Sequence, residues 1–171
     1  MNSLVLTLDK TKFEETADQV KEIFDLTSDK TFDQLEDKET FFQAWCGNYM
    51  RYYPEWFFVA LQDKKILGYL ACCPSSRHCS FEIPGPDYSG YFCQYPAHLH
   101  INCHPHVQAR GVGSQLIKAM EEKLEDFSIR GVHLITSSGA RNISFYQKNS
   151  FVKESTPLNE KTLLLGKSLA T

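Results

Sequence analysis

Hydrophobic and polar residues alternate along the chain in patterns that predict eleven elements of secondary structure. The first is a short strand at residues 3–8. A helix follows it, because hydrophobic side chains then recur at helical spacing. A second helix falls within residues 31–50. The hydrophobic positions are Phe13, Ala17, Val20, Ile23 and Phe24 in the first helix, and Phe41, Phe42, Trp45 and Tyr49 in the second.

The middle of the chain predicts a hairpin and then an irregular segment. Residues 56–61 and 66–73 are typical strands, and the connection between them is so short that they must be antiparallel. Residues 75–96 carry Pro84, Gly85, Pro86 and Gly90 between aromatic side chains. A segment of this length without regular structure is uncommon in a compact domain and is often functional. The alternative is a surface excursion whose rings only pack, and both interpretations stay open.

The second half of the chain opens with a strand, a turn and a helix. Residues 98–103 are typical of a strand, His104 and Pro105 interrupt it, and a helix then runs to Phe127. The hydrophobic face of that helix consists of Leu116, Ile117, Met120, Leu124 and Phe127. A buried strand at 132–137, a short helix at 141–149 and strands at 151–154 and 162–169 complete the chain. This order predicts an α+β fold with a mixed sheet.

Length and charge narrow the class of protein. A chain of 171 residues is most simply one domain, residues 1–171, and 42% hydrophobic residues suffice for a substantial core. The net charge of −3 gives no general attraction to nucleic acid or to an anionic membrane. The first residues lack the basic region of a signal peptide, and no stretch approaches the roughly 20 apolar residues of a membrane span. We therefore expect a cytoplasmic protein without nucleic-acid or membrane partners.

The six cysteines do not predict disulfides or a metal centre. Without a secretion signal, reduced thiols are expected in a chain of this size. There is no Cys-x-x-Cys pair. Cys79, Cys93, His78 and His104 could supply ligands for a zinc site, but their spacings match no known ligand pattern. The expectation is that no metal is bound and that most of the thiols act as small hydrophobic groups.

The turn before the central helix has the chemistry of a phosphate site. A helix N-terminus offers amides without intrahelical partners and a partial positive charge, and Gly111 and Gly113 let an anion approach the backbone. The dinucleotide fingerprint is excluded because its third glycine would fall at Leu116. The triphosphate loop is excluded because Gly113 is followed by Ser114 and Gln115 rather than by lysine. What remains is a Gln-x-x-Gly-x-Gly turn.

This turn resembles motif A of the GNAT superfamily, the acyl-CoA-dependent N-acyltransferases. The apolar-x-apolar-x-Pro pattern of that motif is matched by Ile101, Cys103 and Pro105. The resemblance implies acetyl-CoA as co-substrate, with its pyrophosphate on the amides of the turn. The residues so assigned to the cofactor are Gln108, Ala109, Arg110, Gly111, Val112, Gly113 and Ser114.

A second stretch, residues 141–151, resembles motif B of the same superfamily. Phe145, Tyr146, Lys148 and Phe151 match its pattern. The chain departs from it in two places: Gly139 stands where the family often has an asparagine that contacts CoA, and Ser150 replaces a glycine. Residues 95–101 with the following turn are also similar to the acetyltransferase-like domain of O-GlcNAc hydrolases and its stand-alone relatives.

The resemblance also implies a fold and a set of site residues. The fold is a mixed, mostly antiparallel sheet of about seven strands with about four helices on both faces. Strands 98–103 and 132–137 splay apart, and the backbone of Ile101, Asn102 and Cys103 pairs with pantetheine. The oxyanion donor is a backbone N–H near Ile101 or Asn102. Tyr146 contacts the cofactor and donates a hydrogen bond to the leaving thiolate.

The general base is a choice among several residues. Many family members use a glutamate eight residues before the strand-end proline, a position that is Ala97 here. His98 and His100 share one strand face with Asn102 and are the nearest candidates, with His100 favoured. A structural role for both histidines stays open, and Glu82 and Asp87 of the irregular segment are further candidates. A histidine base predicts that kcat/KM rises through an apparent pKa of roughly 6–7.

The resulting functional hypothesis is an N-acetyltransferase. It moves an acetyl group from acetyl-CoA to a primary amine by direct attack in a ternary complex. The acceptor is a small molecule or a peptide, and the protein is a monomer or a homodimer. The alternative hypothesis is a catalytically inactive GNAT-like domain that binds a peptide or a nucleotide-like ligand.

Overall fold

A mixed sheet of seven strands forms the centre of the molecule. The computed structural model describes residues 3–11, 13–28, 35–82, 85–154 and 161–170. The strands follow one another in the order β1-β2-β3-β4-β5-β7-β6, and of their pairings β4–β5 is parallel and the others are antiparallel. Their bounds are β1 Leu4–Thr7, β2 Phe57–Gln62, β3 Lys65–Cys73, β4 Ala97–Cys103, β5 Gly131–Ser137, β6 Val152–Lys153 and β7 Thr162–Ser168.

Helices cover both faces of this sheet. They are α1 Phe13–Thr27, α2 Leu35–Phe42, α3 Asn48–Tyr52, α4 Val112–Asp126 and α5 Ile143–Lys148. A π-helical turn, Gln43–Gly47, joins α2 to α3 without a break, so the five segments form four helical bodies. The predicted α+β fold is confirmed. The part of the predicted helix at residues 31–34 lies outside the described residues.

Side-chain alternation in the strands divides the core in two. On one face Leu99 and Ile101 of β4 join a cluster with α4, Tyr146 and Phe151. On the other face α1, the π-helical turn and α3 pack against a second cluster, which includes Tyr69 and Cys73 of β3. His98 and His100 alternate with Leu99 and Ile101 along β4, so they lie on the side of this second cluster. Phe127 follows the end of α4 and is 65% exposed, with its ring centroid 5.2 Å from that of Trp56. The helix therefore ends one residue earlier than predicted, and the last buried residue of its hydrophobic face is Leu124.

The parallel strands β4 and β5 separate after two residue pairs. Within residues 97–103 and 131–137, pairing is confined to Ala97 with Val132 and His98 with His133. On the other side of β4 the antiparallel pairing with β3 continues to Cys103, and the N–H of His104 donates to the carbonyl of Leu67 at 2.9 Å. Because amides alternate in direction along an antiparallel strand, even-numbered residues bond β3. The backbone groups of Leu99, Ile101 and Cys103 therefore face the gap between the strands.

The irregular segment before β4 forms a wall beside that gap. Tyr88 and Tyr95 are buried against Leu164 of β7. The Tyr95 ring lies so close over Gly166 that a Cβ there would be 2.3 Å from it, and its hydroxyl donates to Glu154 at 2.6 Å. The segment is thus fixed against the sheet rather than projecting from it. Pro84 of the predicted segment lies outside the described residues.

The length and hydropathy of the helices bear on whether any of them could cross a membrane. Within the described ranges, none of the helices combines the length and the apolar character that crossing a bilayer requires.

Candidate active site

A small cavity of about 30 Å³ lies where β4 and β5 separate. Such a volume accommodates one or two water-sized groups. Its lining residues come from both faces of the sheet, so the cavity lies in the gap between the two strands. The lining side chains are Trp45, Tyr49, Tyr88, His98, Leu99, His100, His133, Leu134, Ile135 and Tyr146.

The N-terminus of α4 lies at the end of β4, on one side of this gap. Gly111 precedes the helix in a left-handed conformation, with φ of 85°, and the first helical hydrogen bond runs from the N–H of Gln115 to the carbonyl of Gly111 at 3.1 Å. The amides of Val112, Gly113 and Ser114 therefore have no intrahelical acceptor. The amide side chain of Gln108 donates to the carbonyl of Cys103 at 3.4 Å and ties the turn to the strand. An anion is stabilised at such a terminus.

The two glycines of the turn have different roles. At Gly111 a Cβ would meet no atom within 4 Å, so an anion can approach the backbone there. Gly113 is buried, and a Cβ at that position would lie 2.8 Å from the Phe145 ring. The sequence predicts close approach of the pyrophosphate at both glycines. In the structure, a glycine is needed at position 113 because α4 packs closely against α5 there.

His98 lies in the cavity with both ring nitrogens occupied. Nε2 is 2.8 Å from the hydroxyl of Tyr49, and Nδ1 is 2.8 Å from the hydroxyl of Ser76. Burial lowers the pKa of His98 well below its ordinary value, and neighbouring His133 lowers it further. The imidazole is neutral at pH 7 and is linked to two hydroxyl groups.

His100 lies farther along the gap. The side-chain amide of Asn102 donates to its Nε2 at 3.1 Å and also to the hydroxyl of Tyr69 at 2.8 Å. The ring of Trp45 stands 5.7 Å away, carried there by the π-helical turn. Burial lowers the pKa of His100 to about 4. This histidine is also neutral at pH 7.

His133 of β5 is a cavity residue that the sequence interpretation missed. It is 1% exposed and pairs with His98 across the parallel strands. Its Nδ1 lies 2.9 Å from the carbonyl of Tyr95, whereas its buried Nε2 has no hydrogen-bond partner among the residues that the structure describes. Burial lowers its pKa to about 4. The sequence did indicate that His133 lies within residues 132–137, a strand predicted to be buried.

Tyr146 of α5 reaches the cavity from the opposite face of the sheet. Its ring is 5% exposed and is held edge-to-face between Phe145 and Phe151. Burial raises the pKa of the phenol far above its ordinary value, and the nearby Cys103 thiol adds to that effect. The phenol is therefore a hydrogen-bond donor at neutral pH.

The two carboxylate candidates lie elsewhere. Glu82 and Asp87 are exposed, and neither belongs to the cavity lining. The carboxylate of Asp87 accepts the N–H of Ser89 at 2.9 Å, and this hydrogen bond lowers its pKa. Asp87 is thus engaged in a local turn of the irregular segment.

A pair of thiols lies next to the cavity. The sulfur atoms of Cys73 and Cys79 and a ring nitrogen of His98 all lie within 4.8 Å of one another, a set that the spacing of the sequence did not suggest. Both nitrogens of His98 are already bonded to hydroxyls. The Cys73 thiol donates to the carbonyl of Ser75 at 3.4 Å. The Cys73 S–H beside Cys79 lowers the pKa of Cys79 below that of an ordinary thiol, and the backbone N–H of Phe81 has the same effect.

Cys79 is therefore expected to react faster with iodoacetamide at pH 7 than Cys93, although Cys93 is the more exposed of the two. Replacement of Cys73 by alanine, which removes the neighbouring S–H group, should slow the alkylation of Cys79 and leave that of Cys93 unchanged. Peptide mass spectrometry over a time course measures both rates in one sample. Faster labelling of Cys93 would show that Cys79 has no special thiolate character.

Comparison with known proteins adds a family and a set of related folds. A family model described as "Acetyltransferase (GNAT) domain" matches residues 54–153, more than half of the chain. Among solved structures, SsHAT is 21% identical with a TM-score of 0.77, and the alignment covers 100% of both chains. Ard1 from Thermoplasma volcanium is 15% identical with a TM-score of 0.70, again over 100% of both chains.

A third solved structure contains a ligand. The PaiA N-acetyltransferase from Thermoplasma acidophilum, in complex with coenzyme A, is 16% identical with a TM-score of 0.62, over 98% of this chain and 99% of that one. At these identities the three solved structures show a shared fold.

Proposed function

The chain belongs to the GNAT acetyltransferase family, and on this premise we propose that it transfers an acetyl group from acetyl-CoA to a primary amine by direct attack in a ternary complex. The family predicted from motifs A and B is confirmed. One observation carries the proposal: the gap between β4 and β5 joins a helix N-terminus on one side to a cavity lined by neutral imidazoles. Donor and acceptor can thus meet from opposite faces of the sheet.

Acetyl-CoA binds along the gap in this proposal. The pyrophosphate takes amides of the turn at residues 109–114, foremost those of Val112, Gly113 and Ser114, because the N–H of Arg110 already donates to the carbonyl of Val107 at 3.2 Å. The exposed guanidinium of Arg110 lies beside this turn, which Gln108 ties to the strand. Pantetheine pairs with the backbone groups of β4 that face the gap. Of the two candidate oxyanion donors, the N–H of Ile101 faces the gap, whereas that of Asn102 faces β3. The coenzyme A in the structure of PaiA supports a cofactor of this class.

The reaction breaks the C–S bond of the thioester and forms a C–N bond. The amine attacks the carbonyl carbon, and the negative charge that develops on the oxygen is stabilised by the N–H of Ile101. The phenol of Tyr146 donates to the sulfur as the thiolate leaves. Because an ordinary thiol has a lower pKa than a phenol, this is hydrogen-bond donation rather than complete proton transfer.

The proton of the amine goes to an imidazole of the cavity. His98 and His100 are the candidates from the sequence, as direct acceptor or as relay. Since burial lowers the pKa of His100 to about 4, such a base is already unprotonated at pH 7. The rise of kcat/KM at pH 6–7 that an ordinary histidine predicts is then replaced by a rise that follows the acceptor amine.

The test of the proposed function begins with acetyl-CoA and an amine panel. Acetyl-CoA is expected to raise the melting temperature, and at least one amine should release CoA thiol: an alkylamine, an aminosugar, a peptide with a free N-terminus or a lysine peptide. With two active amines of different pKa, the pH at which kcat/KM rises should shift with the amine. Binding of acetyl-CoA without thiol release from any amine would favour the non-catalytic alternative.

A further inference from the structure

His133 carries a buried nitrogen whose bonding is incomplete. Its side chain is 1% exposed, and Nε2 is without a hydrogen-bond partner in the described part of the chain. A buried polar atom left unpaired is destabilising, so proteins rarely keep one without a role. His133 lines the cavity in which the acetyl carbonyl and the amine are proposed to meet, and Nε2 is the unpaired atom of that side chain.

The other ring nitrogen determines which atom carries the proton. Nδ1 lies 2.9 Å from the backbone carbonyl of Tyr95, and a carbonyl only accepts. In the neutral imidazole Nδ1 is thus the N–H, and Nε2 holds a free lone pair. The carbonyl is held in place because the Tyr95 ring packs on Gly166 and its hydroxyl bonds Glu154. This tautomer is built into the fold.

The two histidines of β4 differ from His133 because the Nε2 atom of each already has a hydrogen-bond partner. Both ring nitrogens of His98 bond hydroxyl groups. The Nε2 lone pair of His100 accepts from the amide of Asn102, because an amide nitrogen only donates. Either residue would have to give up a hydrogen bond to accept a proton from a substrate. His133 would not.

The surroundings of His133 are aromatic rings, the imidazole of His98, and the backbone of Tyr95 and Ala97, whose hydrogen bonding partly offsets the effect of burial on its pKa. The Phe92 ring stacks on the imidazole at 5.8 Å, the Tyr88 ring meets it edge-on at 5.4 Å, and the imidazole of His98 lies 5.9 Å away. The irregular segment thus fixes the ring on one side and β4 borders it on the other. The titratable groups that face it are the phenol of Tyr88 and His98.

We propose that Nε2 of His133 accepts the proton that the amine loses as it attacks the thioester. This inference rests on the proposed function. The lone pair of the amine forms the C–N bond, the electrons of the C–S bond go to sulfur, and the N–H proton goes to Nε2. CoA leaves as the thiolate, which Tyr146 stabilises, and the imidazolium then returns its proton to the thiolate through water. The products are an amide and CoA thiol.

A weak base suffices for this step. A pKa of about 4 keeps His133 unprotonated at neutral pH, so the lone pair is always available. The amine enters neutral, and its N–H becomes strongly acidic only as the nitrogen bonds to the carbonyl carbon. Before that moment the N–H···Nε2 hydrogen bond aims the lone pair of the amine.

The decisive variant is His133→Asn. The asparagine amide occupies the place of Nδ1 and can still donate to the Tyr95 carbonyl, but it has no counterpart of Nε2. With an amine that the wild type acetylates, kcat should fall by about 100-fold, the usual scale of general-base catalysis. The Kd for acetyl-CoA and the melting temperature should stay near wild type. His78→Asn, at an exposed histidine outside the cavity, should change none of these values.

His98→Gln and His100→Gln complete the comparison. If His133 is the direct acceptor, each should lower kcat less than His133→Asn does. Should His133→Asn keep more than a third of the wild-type kcat, the inference is overturned while the proposed function stands. If the wild type releases thiol with no amine, the proposed function fails, and the inference fails with it.

A measurement on the ring itself does not depend on activity or on the folding of a variant. In 15N-histidine-labelled wild-type protein at pH 7, His133 should show a protonated Nδ1 and a pyridine-like Nε2. Titration to pH 5 should leave that pattern unchanged. Protonation at Nε2, or a charged ring at pH 6, would overturn the assignment.

Discussion

Replacing Gly111 by aspartate is expected to weaken acetyl-CoA binding by about 100-fold, which corresponds to about 2.7 kcal/mol. Gly111 is the residue before α4, and a side chain there would have open space around it. The new carboxylate would stand beside the amides of Val112 to Ser114, where it competes with the pyrophosphate and repels it. Isothermal titration with CoA measures the loss directly.

Gly111→Asn is the matched control for that experiment. Asparagine has nearly the shape of aspartate without its charge, and it tolerates the left-handed backbone of Gly111. Its effect on affinity should be less than 10-fold. Equal losses in the two variants would mean that bulk or backbone strain, and not charge, governs the site. Unchanged affinity in Gly111→Asp would remove the pyrophosphate from this helix terminus.

Local pattern was enough to predict the elements that carry the cofactor site. The run from 98 to 127 contains a strand, a turn and a helix in immediate succession, so the relation of β4 to the N-terminus of α4 is set by neighbours in the chain. Alternation along β4 likewise places His98 and His100 on one face without knowledge of the rest of the fold. Predictions of this kind depend only on residues that lie close to one another in the sequence.

The missed residue depended on long-range pairing. His133 reaches the cavity only because β5 pairs in parallel with β4 at His98, 35 positions away in the chain, and then separates from it. The register of a strand pair this distant has no signature in either strand alone. The hydrogen bond from His133 to the Tyr95 carbonyl also requires the irregular segment to lie against the sheet. The unpaired Nε2 of His133 thus depends on the packing of β4, β5 and the irregular segment against one another.

Two local features of the structure also could not be predicted from the sequence pattern. The π-helical turn Gln43–Gly47 lies inside a stretch that was predicted as ordinary helix, and the insertion changes the direction in which Trp45 points. Gly113 belongs to a recognised motif, yet it is buried against Phe145 of a helix that begins thirty residues later. A motif identifies the residue, and only packing shows which of its properties the fold uses.

Tyr146→Phe is expected to lower kcat by about 10- to 100-fold and to leave the Kd for acetyl-CoA near wild type. The variant keeps the ring between Phe145 and Phe151, so the melting temperature should change little. What it removes is a donor on the side of the cavity that faces α4, where the sulfur leaves. Tyr52→Phe, at a tyrosine that is 44% exposed, controls for loss of a hydroxyl.

The leaving group distinguishes this role from a general disturbance. A thiol with a lower pKa needs less help to leave, so acetyl thioesters of more acidic thiols should restore much of the rate of Tyr146→Phe. The wild type, which has the donor, should depend less on the thiol. The slope of log kcat against thiol pKa is therefore expected to be steeper in the variant. Parallel slopes, or a kcat equal to that of the wild type with acetyl-CoA, would mean that the phenol serves packing and that another group or water stabilises the thiolate.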